Sequence, residues 1–327
     1  MIDFKSLLKN TSAFQLVQRD KRQGRLSHAY LLFCPDGEFL GEYLKIFAKE
    51  IMCESAPQCD VCRTCNLIDA KAHPDVLFFP KGDGAVLSSD VNTIIEETFL
   101  KPIEGQKKVF VIENAQTMNA SAQNKLLKTL EEPPENVHIL LGSTNEFALL
   151  STIKSRVRKL EIPFFNKDQL KNALKEECPE DSKLDSAIAC ADGTVGKVIS
   201  LYGDQTFMEA QSLCKQVLIE MQSSKDLLLY SNKVTSSGVA TERFLAVLEL
   251  FLRDMLAIDQ GREDLAMNQK EVQNLKNASR FNTGALIHAL EKVLEAHKRL
   301  KFNANPTMLI EWLLFQILEG KYKWQKL

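Results

Sequence analysis

The stretch AYLLFCPDGEFLGEYL, residues 29–44, decides the fold of the first half of the chain. Its apolar start is typical of a buried strand, and it leads through a glycine-containing loop into a helix predicted over 42–52. A strand, a glycine-bearing loop and a helix form the setting in which main-chain amides bind phosphate. The sequence therefore predicts an α/β unit here, and it raises the question of whether the loop binds a nucleotide.

The same alternation of strands and helices extends on both sides of this stretch. Predicted strands cover 28–33, 75–80, 107–114, 137–144 and 157–164, and predicted helices cover 42–52, 88–102 and 119–134. The strands have continuous apolar centres and are separated by helices. This pattern is typical of a parallel sheet that is covered on both faces.

Beyond about residue 165 the strand pattern ends and the chain is predicted to be helical. Three short helices are predicted at 166–178, 182–191 and 195–202, and longer amphipathic helices at 206–222, 240–259, 283–302 and 306–320. The polar stretch 268–277 fits a helix or a loop. We predict an α/β domain over 1–165, a small three-helix domain over 166–205 and an all-α domain over 206–327.

Composition limits the class of protein. The chain has 327 residues, with 45% hydrophobic and 26% charged residues, which is ordinary for a globular protein with more than one domain. A net charge of −2 argues against a free-standing nucleic-acid-binding module. The sequence contains no apolar run of membrane-spanning length and no secretory signal at its start, so a cytoplasmic protein without a membrane partner is expected.

Four of the eight cysteines lie close together, as Cys53, Cys59, Cys62 and Cys65. Two overlapping C-x2-C units allow short loops to wrap one tetrahedral ion, and four thiolates suit a closed, structural Zn²⁺ site. An iron–sulfur cluster is the alternative, since C-x2-C-x2-C also occurs in cluster proteins. A disulfide framework does not fit a protein of a reducing compartment.

Several segments together resemble the delta prime subunits of bacterial DNA polymerase III clamp loaders, which belong to the AAA+ class. The segments are GRLSHAYLLFCPDG, the four cysteines, HPDVLFF, NKLLKTLEEPPENVHILLGST and STIKSRVRKLEI. The resemblance implies an AAA+ (RecA-like) α/β domain with an inserted four-cysteine zinc module, then a helical lid and an all-α collar. It also implies work in DNA replication, within a ring of gamma/tau ATPase subunits and a delta subunit. Through that complex it implies contact with the sliding clamp and primer-template DNA.

The loop after the first strand departs from the nucleotide-binding pattern of this class. Active relatives are similar to G-P-x-G-x-G-K-[TS] at this point, and only Pro35 and Gly37 match that pattern here. Leu40 stands in the lysine position and therefore cannot meet the β- and γ-phosphates. Gly41 stands in the Ser/Thr position and has no hydroxyl for Mg²⁺. We expect no intrinsic ATPase activity; whether nucleotide is retained without hydrolysis is left open.

Acidic residues and a second motif point the same way. Asp36 and Glu38 would repel phosphate from the loop. At the end of an apolar strand, here VFVIEN, an ATPase of this class needs an aspartate for Mg²⁺ and then a glutamate that activates water. This sequence has Glu113 and Asn114, and an asparagine amide takes no proton at neutral pH. ATP is therefore not expected as a cofactor of this chain.

One arginine keeps a possible catalytic role through the resemblance. Ser155-Arg156-Val157 is similar to the Ser-Arg-Cys motif of clamp loader subunits, with valine in place of cysteine. In that family the arginine reaches the ATP of a neighbouring subunit and acts as an arginine finger, stabilising charge on the departing γ-phosphate. Spacing alone would also fit a solvated basic patch. Thr144 stands where the family has a γ-phosphate sensor and would be vestigial here.

Three functions are compared on this basis. The first is a non-hydrolysing clamp loader subunit, a stator that supplies Arg156 in trans. The second is an active AAA+ ATPase motor of the gamma/tau type, which the altered loop and Asn114 disfavour. The third is a zinc-stabilised DNA-binding module, which the net charge disfavours.

Overall fold

The structure, a computed structural model, describes residues 2–55, 57–82, 84–262, 266, 272–273, 275–277 and 281–324. The chain divides into two compact units. The first consists of Met1–Glu177 and Gly193–Gly196, and the second of Cys178–Asp192 and Lys197–Leu327. The three-domain division expected from the sequence stays a prediction.

The first unit is built on a five-stranded parallel sheet with the strand order β2-β3-β4-β1-β5. Its strands are β1 (Ala29–Phe33), β2 (Val76–Phe79), β3 (Lys108–Ile112), β4 (Val137–Ser143) and β5 (Arg158–Glu161). Every residue of β3 and β4 is buried. Burial on both faces explains the continuous apolar runs in the sequence, and the predicted α/β parallel-sheet fold is confirmed.

Eight α-helices accompany this sheet among the described residues. They are α1 (Phe4–Leu8), α2 (Ser12–Arg22), α3 (Leu40–Met52), α4 (Arg63–Asp69), α5 (Ser88–Thr98), α6 (Ala120–Glu131), α7 (Ser151–Lys154) and α8 (Lys167–Leu174). Local sequence sets several of their starts. The side chains of Thr11, Asn119 and Asn166 each accept a main-chain N–H of the first turn of α2, α6 and α8.

The sequence prediction was wrong about some element boundaries. The strand predicted over 107–114 ends at Ile112, because Asn114 adopts a left-handed conformation with φ of 56°, which a strand does not accommodate. The helix predicted over 88–102 ends at Thr98, ahead of Pro102, which has no N–H to continue the helix. Helices α1, α2, α4 and α7 were not predicted.

The two faces of the sheet bury different partners. On one face, Leu31 and Phe110 join an apolar core with Ile94 of α5 and Leu126 of α6. On the other face, α3 lies so close to β4 that a Cβ added to Gly142 would be 2.5 Å from Leu44 Cδ1 and 3.1 Å from Leu40 Cδ1. A larger residue at this position would require Leu44 to move. The helix that follows the loop is therefore fixed against the sheet through its first two turns.

The second unit is all helical in its described part. Its helices are α9 (Asp181–Ala189), α10 (Val195–Gly203), whose first two residues belong to the first unit, α11 (Gln205–Glu220), α12 (Ser224–Ser236), α13 (Thr241–Asp259), α14 (Thr283–Lys301) and α15 (Pro306–Trp324). The predicted helical C-terminal region is confirmed, whereas α12 was not predicted. The stretch 268–277 lies mostly outside the described residues. Among those residues, no helix has the length and apolarity needed to cross a bilayer.

Candidate functional site

The four clustered cysteines form a candidate metal centre. The sulfur atoms of Cys53, Cys59, Cys62 and Cys65 all lie within 4.8 Å of one another, and Cys53 Sγ is 3.7 Å from Cys59 Sγ and 4.0 Å from Cys62 Sγ. A tetrahedral ion about 2.3 Å from each thiolate needs sulfur atoms separated by about 3.8 Å. The cluster therefore fits one ion, with four protein ligands and no open position.

Local hydrogen bonds prepare two of these sulfur atoms for a metal. The main-chain N–H of Cys62 donates to Cys59 Sγ, and that of Cys65 donates to Cys62 Sγ, both at 3.4 Å. N–H donors from Val61 and Cys62 lower the pKa of Cys59 to about 6, which favours the thiolate that binds metal. Burial raises the pKa of Cys65, so this thiol needs the ion itself to be deprotonated.

Ion pairs fix the cysteine module to the helices of the first unit. Asp60, which has a left-handed conformation with φ of 60°, lies 2.6 Å from Lys5 Nζ and 3.1 Å from Lys49 Nζ. Burial alone would raise the pKa of Asp60, but the two ammonium groups outweigh burial and lower it. Lys49 also pairs with Asp69 at the end of α4, at 2.6 Å. These contacts place the module at a defined position beside α1 and α3.

The loop after β1 is packed in a way that accounts for its departures from the nucleotide-binding pattern. Helix α3 begins at Leu40, which is 1% exposed and packs towards Gly142 of β4. The residue in the lysine position therefore lies in the apolar core and does not face a ligand. The matching residue Gly37 lies against Thr144, whose Cγ2 would be 3.1 Å from a Cβ at that glycine. Thr144 therefore lies beside the loop, and its proposed descent from a γ-phosphate sensor stays a prediction.

A carboxylate lies where the hydroxyl of an active loop would be. A Cβ added to Gly41 would be 2.9 Å from Glu113 Oε2, so Glu113 packs directly against this glycine. Glu113 also pairs with Lys71, with Nζ 3.0 Å from Oε1. Lys71 was missed by the sequence analysis, because nothing in its local sequence connects it to a residue 42 positions away. An ion pair internal to the protein therefore occupies the place of the metal-binding group.

Asp36 makes a contact that the sequence did not predict. Its side chain is buried, and Oδ2 accepts the main-chain N–H groups of Val195 at 2.9 Å and Gly196 at 3.1 Å. These are the first N–H groups of α10, and a carboxylate there satisfies donors that a helix cannot pair internally. Asp36, which is expected to repel phosphate, therefore also has a structural role at the start of α10. The loop already contains an anion of its own.

Asn114 has a structural explanation as well. Asparagine is among the few residues that adopt the left-handed conformation readily, and Asn114 does so at the end of β3. Its Oδ1 accepts the Gln116 amide at 3.2 Å, and its carbonyl accepts the N–H of Thr117 at 2.9 Å. The side chain is therefore engaged in a turn, and it offers no base to a water molecule.

Arg156 lies between α7 and β5, and its side chain is 35% exposed. Nη2 pairs with Glu131 Oε1 at 2.7 Å, and Nη1 donates to the Thr152 carbonyl at 3.0 Å and to Ser155 Oγ at 3.2 Å. Val157 is buried in the sheet core, so valine replaces the cysteine of the family motif as a packing residue. The structure brings Ser155 and Arg156 together, but it places no nucleotide site of this chain beside them.

Comparison with known proteins shows that the chain is similar to subunits of DNA polymerase III. A family model described as DNA polymerase III, delta subunit, matches residues 9–166, and one described as DNA polymerase III, delta subunit, C terminal, matches residues 205–319. The DNA polymerase III subunit delta' of Bacillus subtilis is 28% identical over 316 residues, covering 94% of this chain and 95% of its own. The subunit delta' of Pseudomonas aeruginosa is 27% identical over 303 residues, covering 89% and 91%.

Proteins with other subunit names are also similar. The DNA polymerase III subunit tau of Bacillus subtilis is 23% identical and covers 98% of this chain, although the match spans only 62% of tau. A solved structure of a gamma subunit-related protein from Thermotoga maritima covers 95% of this chain and 100% of its own, with 19% identity and a TM-score of 0.38. The two family models together cover most of the sequence, and the delta' relatives match it over nearly its full length. Over nearly its full length the chain is similar to the delta' subunits of DNA polymerase III.

Proposed function

We propose that this chain is a non-hydrolysing subunit of the DNA polymerase III clamp loader, a stator that lends Arg156 to the ATP site of a neighbouring subunit. The full-length similarity to delta' subunits carries the assignment to the loader. The proposed complex contains gamma/tau ATPase subunits and a delta subunit. Through it the chain would act on the sliding clamp and on primer-template DNA, in the cytoplasm where a bacterial chromosome is replicated.

The absence of intrinsic ATPase activity is supported by how the degenerate site is built. The Leu40 side chain is buried in the core, and the Glu113 carboxylate forms an ion pair with Lys71. Asp36 presents a buried negative charge to the loop. Binding a triphosphate there would require breaking these contacts. It would also bring negative charges together, without the loop lysine that compensates for them in an active site. The same features disfavour the ATPase motor as the alternative function.

Arg156 is proposed as the residue that acts in trans. Its guanidinium is permanently charged, planar and partly exposed, which suits contact with phosphate oxygens of a partner. Ser155 supports it through the contact with Nη1. Because no phosphate is expected in its own chain, Arg156 needs the ATP of a neighbouring subunit to act as a finger. ATP hydrolysis at that site would then depend on assembly of the ring.

A Zn²⁺ ion held by the four cysteines is proposed as structural. Four thiolate ligands leave no position for water or substrate, so the ion would supply folding energy and no reaction chemistry. The module lies beside α1 and α3, where its ion pairs with Lys5 and Lys49 would transmit that stability to the sheet domain.

The test is a reconstituted loader carrying Arg156→Ala. We expect normal assembly and a fall in ATP turnover at the adjacent site of at least about tenfold, since arginine fingers contribute roughly 10³–10⁵ to such rates. Lys159→Ala removes an exposed charge from the same basic segment and serves as the matched control. Unchanged turnover with Arg156→Ala would contradict the role in trans. ATP hydrolysis by the isolated chain would instead favour the motor.

A further inference from the structure

The contacts of Arg156 leave part of its guanidinium available to a ligand. A guanidinium has five N–H donors in a planar fork. Nη1 donates to the Thr152 carbonyl and to Ser155 Oγ, and Nη2 forms an ion pair with Glu131 Oε1 at 2.7 Å. Within the part of the chain that the structure describes, Nε–H has no hydrogen-bond acceptor. The edge of the guanidinium that carries Nε–H can therefore meet an oxygen of a phosphate.

Glu131 is held firmly enough to orient the arginine. It is the last residue of α6, a helix anchored in the core by Leu126 and Leu130. The C-terminal end of a helix also carries partial negative charge, which favours a guanidinium at this position. Arg156 is thus fixed from two elements, by α7 through Thr152 and by α6 through Glu131.

We infer that Glu131 is the positioning residue of the arginine finger, an inference that rests on the proposed function. It limits the rotamers of a long side chain, so that the free N–H edge faces the partner before the two subunits meet. Without it the guanidinium would have to be ordered during the encounter, and the geometry needed at the transferred phosphate would be populated less often. Glu131 would act only through Arg156 and would touch neither ATP nor water.

The pair is exposed enough that its effect should appear in turnover and not in folding. The Glu131 side chain is 46% exposed and that of Arg156 35%. Ion pairs with this much solvent contact contribute little to stability. A substitution of Glu131 should therefore leave thermal unfolding of the isolated subunit and assembly of the ring unchanged, while altering the catalytic step.

The experiment compares loaders reconstituted with Glu131→Gln, Arg156→Ala and the double variant. Glu131→Gln keeps the shape and removes the charge, and we expect a fall in kcat of about three- to tenfold with KM for ATP unchanged. The double variant should turn over no more slowly than Arg156→Ala alone, because Glu131 has nothing left to position. Glu132→Gln is the matched control, since its side chain has no hydrogen bond or ion pair with any residue that the structure describes.

The outcomes separate this inference from the function on which it rests. A loss with Arg156→Ala but none with Glu131→Gln would overturn the positioning role and leave the finger intact. A Glu131→Gln loss that adds to that of Arg156→Ala would also overturn it, because the glutamate would then act by another route. No loss with Arg156→Ala would remove the proposed function itself, whatever Glu131→Gln did.

Discussion

At the residue scale, burial leads us to expect that exchanging single residues would not create a nucleotide site in the loop. The side chain of Leu40, the first residue of α3, is buried and packs towards Gly142 of β4. An ammonium group at this position would lose its water without gaining an acceptor. The site has therefore been altered in its packing as well as in its functional groups. At Gly41 a side chain would require the Glu113 carboxylate to move, because a Cβ there would lie 2.9 Å from Glu113 Oε2.

The first prediction concerns Leu40→Lys. We expect a loss of about 2–4 kcal/mol in the free energy of unfolding, because a charge is buried without a partner, and no gain of ATP binding. Urea unfolding and titration with a fluorescent ATP analogue would measure both. Leu40→Met, which keeps volume and apolarity, should cost less than about 1.5 kcal/mol. A stable Leu40→Lys variant that binds ATP would show that the side chain at this position reaches a working phosphate site.

At the element scale, the cysteine module is a short loop and helix that depends on its ligands. Cys62 is the N-cap of α4, and its sulfur accepts the N–H of Cys65. The seven residues of α4 are too few for a helix that is stable alone in water. Sulfur chemistry and ion pairs therefore add to the burial of Ile68 in holding this segment. Metal loss should loosen it selectively.

The second prediction is that the purified chain contains about one zinc ion, which Cys59→Ser or a strong chelator removes. Thermal unfolding should then begin several degrees lower, with faster hydrogen exchange over 53–69 and retained protection in β3 and β4. Cys190→Ser, outside the cluster, is the matched control and should keep the metal. Elemental analysis and the visible spectrum distinguish zinc from an iron–sulfur cluster. A chain that binds no metal would contradict the proposal that the four cysteines hold an ion.

At the scale of the whole molecule, the second unit shows apolar side chains that its own helices do not cover. Leu228 and Leu229 of α12 are 59% and 57% exposed, and Phe315 of α15 is 53% exposed. Helices α12 and α15 pack against each other, so these side chains belong to neighbouring elements. In a subunit of a ring, exposed large apolar residues are expected where another subunit packs. They support a collar role for this region.

The third prediction places the assembly surface there. Leu229→Glu combined with Phe315→Glu should weaken association with the gamma/tau partners at least tenfold, because charged side chains would be buried at the contact. Sedimentation of the reconstituted complex measures this, and the unfolding temperature of the isolated chain should not change. Ser212→Glu, on an exposed position of α11, is the control. Unchanged assembly would move the contact to another surface.

The sequence alone determined the features that depend on local pattern. Apolar runs predicted the buried strands, cysteine spacing identified the candidate metal ligands, and the missing lysine and hydroxyl led us to expect a nucleotide loop without ATPase activity. Only the tertiary structure decided what replaced that loop's chemistry. Asp36 meets Val195, which lies 159 positions away, and Lys71 meets Glu113 across 42. Such pairs form because packing of the sheet and helices brings distant segments together, and no local pattern encodes which segments will meet.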